Sequence, residues 1–141
     1  MAFHQTQKIL FRHCDPAGIV FYPRYFEMIN DVIEAFFDVE IGTPFETMLA
    51  THGVPTVQIA ARFEAPSRHG DLLDLRVRTI RVGGASLNLC VDAICEGETR
   101  FSADISLVRV RKDMTTERWT DAMRAAFTSH LEPNLKDVAN G

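Results

Sequence analysis

Two hydrophobic periods divide this chain of 141 residues, and the change from one to the other limits what it can fold into. Tyr22, Tyr25, Phe26, Ile29, Val32, Ile33 and Phe36 recur at spacings of three and four, with Arg24, Glu27, Asn30, Asp31, Glu34 and Asp38 on the opposite stripe. The pattern predicts a helix of about four turns with a wide apolar face, widened further by Met28 and Phe37. From Val57 onward the period is two. Val57, Ile59, Ala61, Phe63 and Ala65 alternate with Gln58, Arg62 and Glu64. Three more alternating runs follow: Leu73 to Thr79, Leu87 to Ala93, and Phe101 to Leu107, the last continuing to about Arg111. Residues 5–11 predict one strand ahead of the helix, with Ile9 and Phe11 on one face and Lys8 and Arg12 on the other. A helix this apolar must be covered, and four strands in meander make an antiparallel sheet able to cover it. The expected architecture is α+β, an antiparallel sheet curved around a long central helix, in one domain spanning 1–141.

Local signals fill in the connections. Thr43-Pro44-Phe45-Glu46 reads as the capping box of a short helix that Gly53 ends. Gly83-Gly84 is a hairpin signal and Glu96-Gly97-Glu98 a second turn. The polar stretch Pro66 to Asp71 separates two strands. A C-terminal helix around Trp119–Leu131 and a polar tail complete the chain. Such a sheet keeps open edges on which a second copy can pair, so dimerisation is expected.

Charge and composition remove several function classes. A net charge of −4 gives no global basic field for nucleic acid or anionic membrane. No apolar run approaches the roughly 20 residues of a membrane span, and Met1 to Thr6 has neither the basic start nor the apolar core of a signal peptide. Cys14, Cys90 and Cys95 lack metal-ligand spacing and read as reduced and structural. A cytoplasmic enzyme or binding domain fits.

One loop carries the chemistry. His13-Cys14-Asp15-Pro16-Ala17-Gly18-Ile19-Val20-Phe21-Tyr22-Pro23 places a carboxylate, Asp15, just ahead of the long helix. A lone loop acid is ordinarily a turn residue or a cap. Here Pro16 biases Asp15 towards extended geometry, Gly18 permits a sharp turn and a close approach by another molecule, and Pro23 suits the first helical position. Asp15 is the candidate catalytic group; Pro16, Gly18 and His13 are the candidate substrate contacts beside it. Weaker candidates are Glu64, which reads more simply as a polar-face residue, and Arg109, Arg111 and Lys112, a solvated basic edge or a phosphate grip. His4, His52, His69 and His130 show no partner spacing and read as solvent-facing, while Phe21, Phe26, Met28, Phe36 and Phe37 read as core or acyl-pocket lining.

The run Asp15-Pro16-Ala17-Gly18-Ile19-Val20, with Tyr22, Pro23 and Tyr25, resembles the 4-hydroxybenzoyl-CoA thioesterase family of hotdog-fold proteins. The match is close over residues 7–30, looser through Gly53-Val54-Pro55 and the Ala65-to-Asp71 turn, and the order of elements agrees over residues 5–112. The resemblance implies a hotdog fold, an acyl-CoA substrate, no metal or redox cofactor, and dimers or tetramers with sites at the subunit boundary. It also implies that Asp15 carries the hydrolysis and that the backbone N–H of Tyr22 binds the thioester carbonyl oxygen. One departure stands out: the family enzyme has a basic cluster at the turn before its fourth strand, where this chain has Val82-Gly83-Gly84-Ala85 flanked only by Arg81.

Thioester hydrolysis needs a nucleophile at the carbonyl carbon or a base for water, and an aspartate serves as either. Direct attack is favoured by the good thiolate leaving group. The tetrahedral oxygen needs donors, which a helix N-terminus supplies; since Pro23 has no N–H, Tyr22 or Arg24 must provide one, and the resemblance favours Tyr22. An aromatic acyl group is the leading substrate, with short aliphatic acyl-CoA or acyl carrier protein thioesters next. A non-catalytic acyl-CoA-binding domain and a hotdog dehydratase or hydratase are the readings of another class.

Overall fold

The computed structural model describes residues 2–132. The polar tail expected after Leu131 lies, apart from Glu132, outside the described residues. In chain order the elements are β1 (Phe3–Lys8), a 3-10 turn (Phe11–His13), α1 (Pro23–Phe36) continued by a π-helical stretch (Phe37–Ile41), and α2 (Phe45–Met48). There follow β2 (His52–Gly53), β3 (Thr56–Phe63), β4 (Leu72–Val82), β5 (Ser86–Cys95), β6 (Glu98–Val108), β7 (Val110–Arg111) and α3 (Asp121–Ser129). Five strands form one antiparallel sheet in the order β1-β4-β5-β6-β3, and β2 pairs with β7. This is the sheet curved around a long helix that the two periods predict, and the hotdog fold that the resemblance implies.

Alternation along the strands decides the inside. Leu73, Leu75 and Val77 of β4, Leu87, Leu89 and Val91 of β5, and Phe101, Ala103, Ile105 and Leu107 of β6 are all buried on the concave face. Against them lies the apolar stripe of α1: Tyr25, Met28, Ile29, Val32, Ile33 and Phe36. Register shifts at Thr56/Gln58, Thr79/Arg81 and Ala93/Ile94 interrupt the ladders, and such bulges bend a sheet enough to curl around a helix. α3 closes the far end: Thr120 Oγ accepts the Met123 N–H at 3.1 Å as its cap, and the Phe127 ring sits 5.6 Å from Phe37 and 4.8 Å from Trp119.

Four expectations need correction, the first being the strand at 5–11: β1 covers Phe3–Lys8, and Phe11 lies exposed in the 3-10 turn that follows. Only β4, β5 and β6 form a meander; β3 pairs with β6 at one edge, so residues 64–71 cross the end of the sheet to reach β4, the neighbour of β1. The cause is length, because hairpin neighbours need connections of about two to five residues and the polar stretch before β4 is longer. The capping box at Thr43 is also absent: Pro44, which has no side-chain acceptor, holds the N-cap position of α2, and the Thr43 N–H donates back to Phe37 O at 2.9 Å and closes the π-helical stretch instead. Gly53 pairs with Val110 in β2 rather than ending that helix.

Phe36 is wholly buried, its ring 5.9 Å from Phe3 and 5.2 Å from His130. Phe36→Ala is expected to cost about 3–5 kcal/mol, transfer and cavity together. Urea unfolding measures it, and a loss near zero would mean that α1 is not seated against the sheet.

Candidate active site

The loop ahead of α1 is a closed hairpin. Cys14 and Val20 pair across it; the Asp15 N–H donates to Ile19 O and the Gly18 N–H to Asp15 O, each at 2.9 Å. Asp, Pro and Gly stand where a type I turn favours them, at its first, second and fourth places. The Ala17 N–H donates to Asp15 Oδ1 at 2.9 Å, so the side chain is held by its own turn. Gly18 has φ +82°, and a Cβ there would meet nothing within 4 Å, so conformation rather than crowding calls for glycine. Asp15 is half-buried, and its Oδ2 has no partner among the described residues.

The hairpin is fixed on both sides. The Phe21 N–H donates to His13 O at 2.9 Å, and the Val20 N–H donates to Ser67 O at 2.9 Å, tying the loop to the crossing connection. Ile19 bridges Arg68 in the same connection. His13 is 3% exposed, and its Nδ1 accepts the Leu10 N–H at 2.8 Å, which leaves the ring proton on Nε2. Burial first, then the neighbouring Arg12 charge, pushes its pKa below the ordinary 6.5. His13 is thus a hydrogen-bonded anchor of the loop's entry, not a surface residue.

At the helix start Pro23 opens α1. The Arg24 N–H is taken by Phe21 O at 2.8 Å and the Tyr25 N–H by Tyr22 O at 3.0 Å. Of the two donors the sequence leaves open, only the Tyr22 N–H lacks an acceptor among the described residues. The Tyr22 ring, 57% exposed, stands 5.8 Å from Phe63 and 6.4 Å from Phe26. Beyond Phe26 an apolar slot of about 190 Å³ runs between α1 and β3, lined by Ile29, Ile33, Phe45, Ile59 and Leu107. Among the aromatic candidates, Phe26 lines this slot, Phe21 is exposed with its ring 5.9 Å from Tyr22, and Phe36, Phe37 and Met28 are core.

Sequence reasoning did not anticipate the brace behind the loop. Arg100, 8% exposed, donates to Pro66 O at 3.1 Å, Ser67 Oγ at 3.2 Å and Asp71 Oδ2 at 2.7 Å. The Arg68 N–H and then Arg100 hold the Asp71 carboxyl below the usual carboxylate range. Strand alternation marks Arg100 as facing away from Phe101, but no spacing pairs residue 100 with residues 66–71.

Other candidates fall elsewhere. Glu64 lies with Arg78, Asp92 and Ser102 along a shallow depression of about 680 Å³ on the outer face of the sheet, opposite the helix. Arg109 donates to Arg118 O and, with Arg111, faces Glu117, while Lys112 donates to Leu49 O; these cations are engaged within the chain. Contrary to expectation, His52 pairs with Glu117 and buried His130 with Glu40, because the fold brings together residues far apart in sequence. His4 pairs with Asp74. All three cysteines are free. Among the described residues no group of three or more His, Cys, Asp or Glu is arranged to hold a metal, and no helix is long and apolar enough to cross a membrane.

Residues 9–127 match the profile of the thioesterase-like superfamily, which carries the likeness past residue 112 into α3. A gentisyl-coenzyme A thioesterase structure is 25% identical, with a TM-score of 0.81 over 89% of this chain and 99% of that one. A thioesterase-superfamily protein from Jannaschia sp. CCS1 is 22% identical, TM-score 0.84, over 93% and 94%. A 1,4-dihydroxy-2-naphthoyl-CoA thioesterase from Synechocystis superposes with TM-score 0.84 at 14% identity, over 91% and 96%. No curated protein sequence matches the chain significantly.

A histidine kept neutral by burial stabilises the fold fully above its unfolded pKa, and that contribution is lost as pH falls from there through the lower folded value. Stability is therefore expected to drop as pH falls below about 6.5, the ordinary histidine value. In His13→Asn this drop shrinks. Urea midpoints at pH 7.5 and 5.5 for both proteins measure the difference, and equal drops would refute it.

Proposed function

We propose how this chain, which belongs to the thioesterase-like superfamily and is a thioester hydrolase, carries out that chemistry on an acyl-CoA. Asp15 is the catalytic carboxylate and the Tyr22 N–H is the donor to the thioester carbonyl oxygen. The observation that carries this reading is the pairing of a turn-held carboxylate with one free oxygen and a helix-start N–H with no acceptor, on the two ends of one braced hairpin. As the acyl carbon becomes tetrahedral its oxygen gains negative charge, and a fixed donor of this kind is worth about 2.7–4 kcal/mol.

The favoured route is attack by Asp15 Oδ2 on the acyl carbon. The carbon–sulfur bond breaks, CoA leaves as thiolate and takes a proton from solvent. Water then hydrolyses the Asp15–acyl anhydride, releasing the free acid and restoring the carboxylate. In the alternative, Asp15 accepts the proton of a water that attacks directly. Pro16 and Gly18 set the turn that presents the carboxylate, and His13 holds the loop's entry; no cofactor enters either route.

The apolar slot beyond Phe26 suits the acyl group. An aromatic, hydroxybenzoyl-like acyl is favoured by Phe26 and Phe45 in the slot's lining, with the Tyr22 and Phe63 rings packed around Phe26, and by the similarity to a gentisyl-coenzyme A thioesterase. We further infer a homodimer, or a homotetramer built from it. β3 is an unpaired edge with Val57, Ile59 and Phe63 exposed, and a second copy pairing there would cover the slot's open side.

Asp15→Asn is expected to abolish release of free thiol from benzoyl-type acyl-CoA while leaving binding of the substrate within about tenfold, since the loss falls on the transition state. Hydrolysis at the parent rate would sink the mechanism. A second variant tests the donor: Tyr22 has φ −53°, which proline accepts. Tyr22→Pro therefore removes the N–H alone from the backbone, and kcat is expected to fall about 10²–10³-fold. Tyr22→Ala, which keeps the N–H and loses the ring, should lose far less; equal losses in the two would assign the role to the side chain.

A further inference from the structure

The proposed acyl-CoA reading leaves open where the nucleotide end of the substrate is held, and the structure narrows the choice. At the turn Val82–Ala85 the backbone carbonyls are taken from within the chain. Arg124 donates to Gly83 O at 2.7 Å, and the Trp119 N–H takes Gly84 O at 3.0 Å. Arg109, Arg111 and Lys112 are likewise engaged, with Glu117 and Leu49 O.

A different cluster flanks the Asp15 hairpin. Phe11, just ahead of it, is 81% exposed. Its ring meets His69 edge-on, with centroids 6.0 Å apart at 71°. Arg12 adjoins Phe11 and Arg68 adjoins His69; both are exposed, and neither guanidinium has a hydrogen bond or ion pair among the described residues. The two segments are cross-linked, with the Gly70 N–H donating to Ile9 O and the Ile9 N–H to Asp71 O, both at 2.8 Å. Arg68 also sits opposite Ile19 of the hairpin itself. Two exposed rings and two free guanidinium groups therefore share a rigid platform beside the catalytic loop.

We propose that Phe11, His69, Arg12 and Arg68 form the docking site for the adenosine phosphate end of an acyl-CoA. Adenine offers a flat π-face that an exposed phenylalanine and imidazole can stack against, a contact indifferent to base identity. The 3′-phosphate and pyrophosphate offer the anionic oxygens that a guanidinium binds in a fork. A hydrophobic ring in water gains from being covered, and an unpaired cation beside it gains a partner, so one ligand satisfies both. The inference rests on the acyl-CoA reading above and deepens it.

Truncating the substrate tests it. The same benzoyl group is offered on CoA and on N-acetylcysteamine, which carries the thioester without the nucleotide, and the ratio of the two kcat/KM values is measured. In Phe11→Ala, and in the double variant Arg12→Gln with Arg68→Gln, that ratio is expected to fall about tenfold, the scale of losing one base stack. The double variant should also flatten the rise of KM for the CoA substrate with salt. Because the truncated thioester is measured on the same protein, general damage to the fold lowers both values and leaves the ratio alone. An unchanged ratio overturns the docking site while leaving the hydrolase reading intact. A parent enzyme inactive on both thioesters overturns the acyl-CoA reading, and the docking site with it.

Discussion

Burial of one face of α1 in the concave side of the sheet is the constraint from which the rest of this structure follows. The stripe from Tyr25 to Phe36 meets inward side chains of β4, β5 and β6, and hydrophobic burial is non-directional enough to seat a helix there but not to set its ends. The ends are set by polar contacts. At the C-terminal end, the π-helical stretch and α3 stop the helix. At the N-terminal end, the hairpin around Asp15 and the crossing connection meet through the Val20 N–H and Ser67 O.

That single backbone bond explains why a buried arginine is worth its desolvation. An isolated guanidinium in the interior is costly, and it persists only when its donors are satisfied. Arg100 shares its Nη1 among Pro66 O, Ser67 Oγ and Asp71 Oδ2 and sets Nε 2.9 Å from the Glu98 carboxylate, and so stiffens the segment on which the hairpin leans. The side chains of the proposed site are thereby held at second hand. Asp15 and Tyr22 make few contacts of their own, but every backbone group between them, from Cys14 to Phe21, lies in a short loop clamped at Cys14–Val20, His13–Phe21 and Val20–Ser67. Precise placement of a carboxylate and an amide comes from such clamping rather than from packing of the groups themselves.

The outer face of the sheet follows a different rule. Arg78 donates to Asp92 and to the Cys90 sulfur, each at 3.1 Å, and Ser102 donates to Asp92. Burial pushes the Cys90 thiol up, which keeps it a neutral, unreactive group. These groups belong to three neighbouring strands and lie across the sheet from α1, so they hold register and stand apart from the slot beside Phe26.

Much of this was legible in the chain itself. Periods of 3.6 and 2 depend only on which residues are apolar, so α1, β4 to β6 and their inward faces could be read from order alone, whereas Val57, Ile59 and Phe63 of the edge strand β3 stay exposed. The Asp-Pro-Ala-Gly turn was legible for the same reason, since its preferences are local. What only the tertiary structure decided are contacts between distant residues: β3 beside β6 instead of β4, Arg100 behind residues 66–71, His52 with Glu117, and His130 with Glu40. The helix-start donor belongs to both. Proline at 23 reduced the choice to Tyr22 or Arg24, and the folded turn took Arg24 by giving its N–H to Phe21 O. Local conformational preference is written in neighbouring residues, whereas the pairing of strands and charges is settled only when the apolar faces close and bring remote segments to one place.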